Sequence, residues 1–166
     1  MYFQKTFDAI IATPISVEEV IAGELLWGAT HAAINSTIVL AVVAAFGLIS
    51  SPLVLLIPIL AFFAGLMFAS IGMCFTALAP NIDFFNYPSF LLITPMFLLS
   101  GTFFPLPSSV QTASLALPLT HVVNITRYLA LGKTQNFLIL GVIWIALATI
   151  IFFVLSINLM KRRLIR

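Results

Sequence analysis

The stretch P-M-F-L-L-S-G-T-F-F-P-L-P-S-S-V-Q-T-A-S-L-A-L-P-L-T-H-V-V-N-I-T-R-Y-L-A-L-G, residues 95–132, decides how this chain is read. It begins as a membrane span, breaks at Ser100-Gly101, and breaks again at Pro105 and Pro107. Two short, half-apolar segments divided by Pro118 follow, each too short to cross a hydrocarbon core about 30 Å thick. Non-helical backbone at membrane depth is tolerated only where protein buries it or where it lines a wet cavity. The stretch is therefore a re-entrant gate or an interfacial cap, and the remainder of the chain bears on which.

The whole chain is 62% apolar and 7% charged over 166 residues. Soluble domains carry about 25% charged residues, so the composition is that of an integral membrane protein with little mass outside the bilayer. The apolar runs exceed the length of a signal peptide and recur along the chain. The opening residues M-Y-F-Q-K-T-F-D hold no apolar core or cleavage site, so insertion is expected to use internal spans. The net charge of +2 is no nucleic-acid signal, because Lys161, Arg162, Arg163 and Arg166 are gathered in the tail and Lys5 lies near the start. Such clustering marks cytoplasmic ends. Cys74 is the single cysteine and lies in an apolar run, so no intrachain disulfide forms.

Working outward to the start, Phe3, Phe7, Ile10 and Ile11 recur at helical spacing among Gln4, Lys5 and Asp8. This predicts a short amphipathic helix over 2–12, suited to the membrane surface or a partner's groove. Thr13-Pro14 ends it, since proline pushes the residue before it out of the helical region. Ser16-Val17-Glu18-Glu19 then reads as a capping box, the Ser16 hydroxyl and Glu19 carboxylate each satisfying a free backbone donor.

Four spans are expected, over 25–49, 53–78, 84–104 and 137–160. In the first, Glu24, Gly28, His31 and Asn35 share one helical face, and a polar stripe in a span faces a bundle interior or a water-filled cavity. In the second, Ala61, Gly65 and Ala69 repeat every fourth residue, with Gly72 nearby, a spacing that lets helices approach closely in lipid; Pro58 is expected to kink it. Pro88 and Pro95 bend the third. The fourth ends on the stop-transfer cluster Lys161-Arg162-Arg163. An even number of spans puts both termini on one side, and the basic tail makes that side cytoplasmic. The segment 105–132 is then external.

Chemistry-bearing motifs are absent from the sequence. There is no phosphate-binding glycine loop, no G-x-S-x-G elbow and no H-E-x-x-H. His31 has no second ligand at metal spacing, and Asp83 is the only acid after Glu24, so no carboxylate pair forms. Ser108 and Ser109 with a distant His121 are weak grounds for hydrolysis. No catalytic residue, cofactor or metal is expected, and ATP hydrolysis would need another subunit.

Two stretches carry a family resemblance. They are T-F-D-A-I-I-A-T-P-I-S-V-E-E-V-I-A-G-E-L-L-W-G, residues 6–28, and I-T-P-M-F-L-L-S-G-T-F-F-P-L with L-P-L-T-H, residues 93–106 and 117–121. With them the chain resembles the C-terminal two-thirds of type-2 ABC exporter permeases, in particular the nodulation-factor (NodJ-like) branch. The resemblance implies an all-α, polytopic membrane helix bundle forming one domain over 1–166. It would hold the last four of six spans, truncated of an N-terminal segment and two spans. It also implies a homodimer of permease subunits, embedded in the lipids of the bacterial inner membrane and paired with a cytoplasmic ABC ATPase. The region 2–24 would be the coupling element, with Phe7, Asp8, Thr13, Pro14, Ser16, Glu18 and Glu19 on the ATPase side. The break would lead into external re-entrant helices over about 107–117 and 120–131, closing the pathway with Ser100, Gly101, Pro105, Pro118, His121 and Arg127. Glu24, His31 and Asn35 would line the pathway or hold the bundle together.

The expected function is thus outward movement of an amphiphilic glycolipid, lipo-oligosaccharide, polysaccharide or drug, powered by a separate ATPase. One alternative is a non-transporting four-span membrane fragment, or a regulatory or scaffold protein with no transport cycle. Another is a lipid-modifying enzyme using His121 and Arg127 at the outer interface, against which stands their plainer use in helix capping and headgroup contact.

Overall fold

In the computed structural model the described residues are 16–49, 51–79, 84, 87, 89–102, 114–132 and 138–164. Every regular element among them is helical. The expected helix over 2–12, the Thr13-Pro14 turn and the first external segment up to residue 113, with Pro105, lie outside the described residues.

Helix α1 spans Val17–Ala45 and begins at the capping box. The Ser16 amide donates to Glu19 Oε2 at 2.9 Å, and the Glu19 amide donates to Ser16 Oγ at 3.3 Å. Local i to i+3 chemistry of this kind forms from sequence alone. The far end differs from the expected boundary at Ile49. Gly47 takes φ +68° and its amide donates to the Ala44 carbonyl, while the Leu48 amide reaches back to Val43. This is a Schellman ending, which requires a left-handed residue that glycine supplies without strain. Gly47 therefore terminates the helix at Ala45; it is not part of an apolar run.

A 3-10 turn over Pro52–Leu56, capped by Ser51 Oγ, leads into helix α2, Ile57–Leu78. Pro58 opens this helix and does not kink its interior. Proline at the first turn removes only an amide that has no intrahelical acceptor. The partner of the small-residue ridge is α1 of the same chain. A methyl group on Gly65 would sit 2.6 Å from Ala32 Cβ and 3.2 Å from Ala29 Cα, and one on Gly28 would sit 3.3 Å from Ala69 Cβ. Gly72 meets nothing within 4 Å.

Beyond the second turn, a π-helical stretch over Ser89–Ile93 passes into the short helix α3, Thr94–Leu99. The widening precedes Pro95, whose ring nitrogen has no proton to offer the preceding turn. The expected break follows, with Gly101 at φ +72°. Helix α4 covers Pro118–Leu131, opened by Pro118 and closed by left-handed Gly132, whose amide donates to the Tyr128 carbonyl. Its 14 residues measure roughly 21 Å at 1.5 Å per residue, short of a bilayer core. Helix α5, Leu138–Leu164, carries Lys161, Arg162 and Arg163 in its last turn.

Two cores hold these helices. Met67 and Ile71 of α2, Ile125 and Leu129 of α4, and Ile145 and Ala148 of α5 form one. Ile21 and Leu25 of α1 with Met160 of α5 form the other, flanked by Met73 and Ala77 of α2. The outside is apolar as well, with Phe46, Leu55, Phe90 and Ile139 more than two-thirds exposed. Among the described residues, three helices are long and apolar enough to cross a membrane: Val17–Ala45, Pro52–Leu78 and Leu138–Arg163. The segment expected as another span, 84–104, is described only in parts, as the π-helical stretch, α3 and the break.

Candidate functional site

The two ends of the bundle are chemically different. At one end the first turn of α1, the last turn of α2 and the last turn of α5 converge. Lys161 Nζ donates to Glu18 Oε1 at 2.5 Å, with both side chains about half exposed. The Arg163 guanidinium donates to the Thr76 carbonyl. That carbonyl belongs to the last turn of α2, where intrahelical donors run out. The charges also suit the helix ends, with Glu18 and Glu19 at an N-terminus and three cations at a C-terminus. Of the residues expected to face an ATPase, Ser16 and Glu19 are spent on the capping box and Glu18 on Lys161. Phe7, Asp8, Thr13 and Pro14 lie outside the described residues.

At the other end the break and α4 are tied together. Ser100 is buried, its Oγ donating to the Phe97 carbonyl at 2.9 Å and lying 2.7 Å from Thr102 Oγ1. Arg127 reaches across from α4 and donates to the Gly101 carbonyl. A break strands backbone acceptors, and an arginine, charged at all accessible pH, is a durable donor for one of them. The structure thus brings Ser100, Gly101 and Arg127 into one assembly.

His121 is elsewhere. It faces α5, buried, with Nε2 2.8 Å from the Leu115 carbonyl and its ring stacked on Trp144 at 5.2 Å between centroids. The ring lies over Gly141, where an added methyl would meet Nδ1 at 3.4 Å. His121 and Arg127 therefore point to different neighbours and do not converge on one reacting position. Next to His121, Thr120 Oγ1 is buried with no hydrogen-bond partner among the described residues.

The polar stripe of α1 is on the open side of the bundle. Ile21, Leu25 and Ala29 are buried against α2 and α5, whereas Glu24, His31 and Asn35 are exposed. Trp27, 61% exposed, lies beside His31 with ring centroids 4.6 Å apart. Among the described residues, Glu24, His31 and Asn35 are on the exposed flank of α1, whereas Gly28 of the same stripe lies against Ala69 of α2.

Sequence reasoning missed the contacts that join distant segments: Lys161 with Glu18, Arg163 with Thr76, Arg127 with Gly101, and His121 with Trp144. The first had a signal, since the positive-inside rule places opposite charges of α1 and α5 on the same side. The choice of a backbone carbonyl as acceptor had none.

Comparison with known proteins gives the following. Residues 1–131 match the family described as ABC-2 type transporter. The chain is 38% identical over 167 residues to Nodulation protein J of Rhizobium leguminosarum bv. trifolii, covering 98% of the chain and 63% of that protein. It is 34% identical over 169 residues to Nodulation protein J of Sinorhizobium fredii (strain NBRC 101917 / NGR234), covering 99% and 64%. With Nodulation protein J of Rhizobium meliloti (strain 1021) it shares 36% over 168 residues, covering 99% and 64%. The chain thus spans less than two-thirds of the length of these relatives. No solved structure matches.

Proposed function

Because the chain belongs to the ABC-2 type transporter family, and is a membrane component of that kind, we propose that it is the membrane-spanning subunit of an ATP-driven exporter. It moves an amphiphilic molecule (a glycolipid, lipo-oligosaccharide, polysaccharide or drug) outward across the bacterial inner membrane, and hydrolysis belongs to a separate cytoplasmic ATPase. Two permease copies make the complex. The family match carries this reading, and the chemistry of the two ends agrees with it.

The charged end is the cytoplasmic one. There the region 2–24 meets the ATPase, and the Glu18–Lys161 and Arg163–Thr76 contacts pass a displacement of α1 to α5 and α2. The other end is the outer one. There Arg127 holds the break between α3 and α4, so movement of α3 is felt by α4 and the pathway is closed or opened. Four crossings fit this geometry. The contacts of Thr76 with Arg163 and of Gly101 with Arg127 support a crossing between these residues.

Co-purification tests the reading. The chain, extracted from bacterial membranes, is expected to bring an ABC ATPase with it, and Phe7→Glu or Asp8→Lys is expected to abolish that association. If both variants assemble and export as the parent does, the coupling assignment fails. A second reading is a regulatory or scaffold subunit without a transport cycle. An ATPase that binds without any change in its turnover would favour it.

A further inference from the structure

Acidic residues are unevenly placed along the chain. All five, Asp8, Glu18, Glu19, Glu24 and Asp83, come before residue 84, and none follows through Arg166. In the proposed topology they all lie toward the cytoplasmic side. Glu18 and Glu19 find partners there, in Lys161 and in the capping box. Arg127 and Lys133 stand in the half of the chain without acids. The neighbouring segments 103–113 and 133–137 contain no Asp or Glu, so they cannot neutralise either cation however they pack. Basic residues are under-represented on the outer side of a membrane, which is where the proposed topology puts both. Arg127 is exposed, and its contact with the break is a neutral one. Its Nη2 donates to the carbonyl of Gly101, a residue that is itself buried. That bond engages one of the five N–H donors of a guanidinium.

We propose that Arg127 is an anion-responsive latch. It holds the break against α4 through the Gly101 carbonyl, and a phosphate group at the outer interface takes the guanidinium in exchange. The proposal rests on the reading of this end as the outer closure of the pathway, and gives that closure its ligand. A guanidinium engages two phosphate oxygens at once, in charge-assisted bonds roughly twice as strong as its bond to a neutral carbonyl. Exchange then has a structural consequence. The Gly101 carbonyl loses its donor while buried, and a buried acceptor without a donor is unfavourable, so the break moves toward water and parts from α4. Ser100 stays bonded to the Phe97 carbonyl and to Thr102, so α3 keeps its own end while it separates. The phosphate is a lipid phosphodiester or a group in solution, free or carried on the amphiphile in transit, and both present the same oxygens.

The test is the separation of α3 from α4, read by paired spin labels on the purified chain in nanodiscs, with no ATPase present. In a Cys74→Ser background, Leu99→Cys on α3 and Leu131→Cys on α4 carry the labels, and both side chains are exposed. One arm adds inorganic phosphate to phosphatidylcholine nanodiscs, against chloride at equal ionic strength. The other compares phosphatidylcholine nanodiscs with phosphatidylglycerol ones. A shift to longer separation in at least one arm is expected, and the arm that responds identifies the source of the phosphate. Arg127→Gln keeps an amide that can donate to the Gly101 carbonyl but carries no charge, so it is expected to hold the short separation in both arms. Arg127→Lys keeps the charge without the fork, so it is expected to need several-fold more phosphate or phosphatidylglycerol for the same shift. Unchanged separation in both arms overturns the proposal. So does a shift that chloride reproduces, one that Arg127→Gln retains, or an Arg127→Lys response equal to the parent's. Since neither transport nor ATPase binding is measured, failure of the latch is distinguishable from failure of the export reading.

Discussion

Gly65 decides how closely α1 and α2 approach, and the geometry makes its replacement sign-definite. A methyl group there would lie 2.6 Å from Ala32 Cβ and 3.2 Å from Ala29 Cα. One of those atoms is backbone, so the helices themselves must part. Overpacking of this kind costs about 1–3 kcal/mol, more than the gain of up to about 1 kcal/mol in helix propensity. Gly65→Ala is therefore expected to lower the thermal unfolding midpoint in detergent. Gly72→Ala, with open space around it, is expected to leave the midpoint unchanged or raise it. Thr120 gives the opposite sign. Its hydroxyl is buried with no partner among the described residues, and an unsatisfied buried polar group costs about 1–3 kcal/mol. Thr120→Val keeps the shape and removes the hydroxyl, so it is expected to raise the midpoint; a lower one would mean that the hydroxyl has a partner in the membrane-embedded protein.

At the scale of elements, what the sequence made legible was local. The capping box, the Ser100-Gly101 break and the role of Pro118 each depend on residues within one turn of one another, and all three are present as expected. Pro58 opens α2 and does not kink it; a residue type does not state its position in a helix, and the same proline kinks an interior or opens a first turn. The stripe on α1 shows another boundary. Helical periodicity says that Glu24, His31 and Asn35 share a face, and nothing in it says what the face meets. Contacts across long separations are invisible for the same reason, Arg127 with Gly101 most clearly, and only Glu18 with Lys161 has a signal, in the charge placed at the ends of α1 and α5. That pair is half exposed, so its net contribution is about 0.2–1 kcal/mol, and its interest is in register more than stability. Reversing one charge, Glu18→Lys or Lys161→Glu, is expected to weaken association with the ATPase in pull-down from membranes. The double exchange is expected to restore it, whereas independent surface roles would make the two losses add.

For the whole molecule the question is how often the chain crosses. Among the described residues three helices have the length and apolarity by themselves, and an odd number would place the start of α1 and the end of α5 on opposite sides of the membrane. The contacts argue otherwise: Lys161 meets Glu18, Arg163 meets Thr76, and Met160 packs with Ile21 and Leu25. The start of α1 and the end of α5 therefore lie at the same end of the bundle, and a further crossing between Thr76 and Gly101 is part of the proposed topology that thiol labelling tests. The π-helical stretch and the break interrupt the helix there, and Arg127 and the buried Ser100 donate to the Gly101 and Phe97 carbonyls. Thiol labelling of intact cells settles the count. Cysteines at Ser16 and Arg162 are expected to resist an impermeant reagent, and cysteines at Leu48 and Gly132 to react. Labelling at Arg162 with protection at Ser16 would mean three crossings, and the charged contacts between α1 and α5 would then not exist in the membrane.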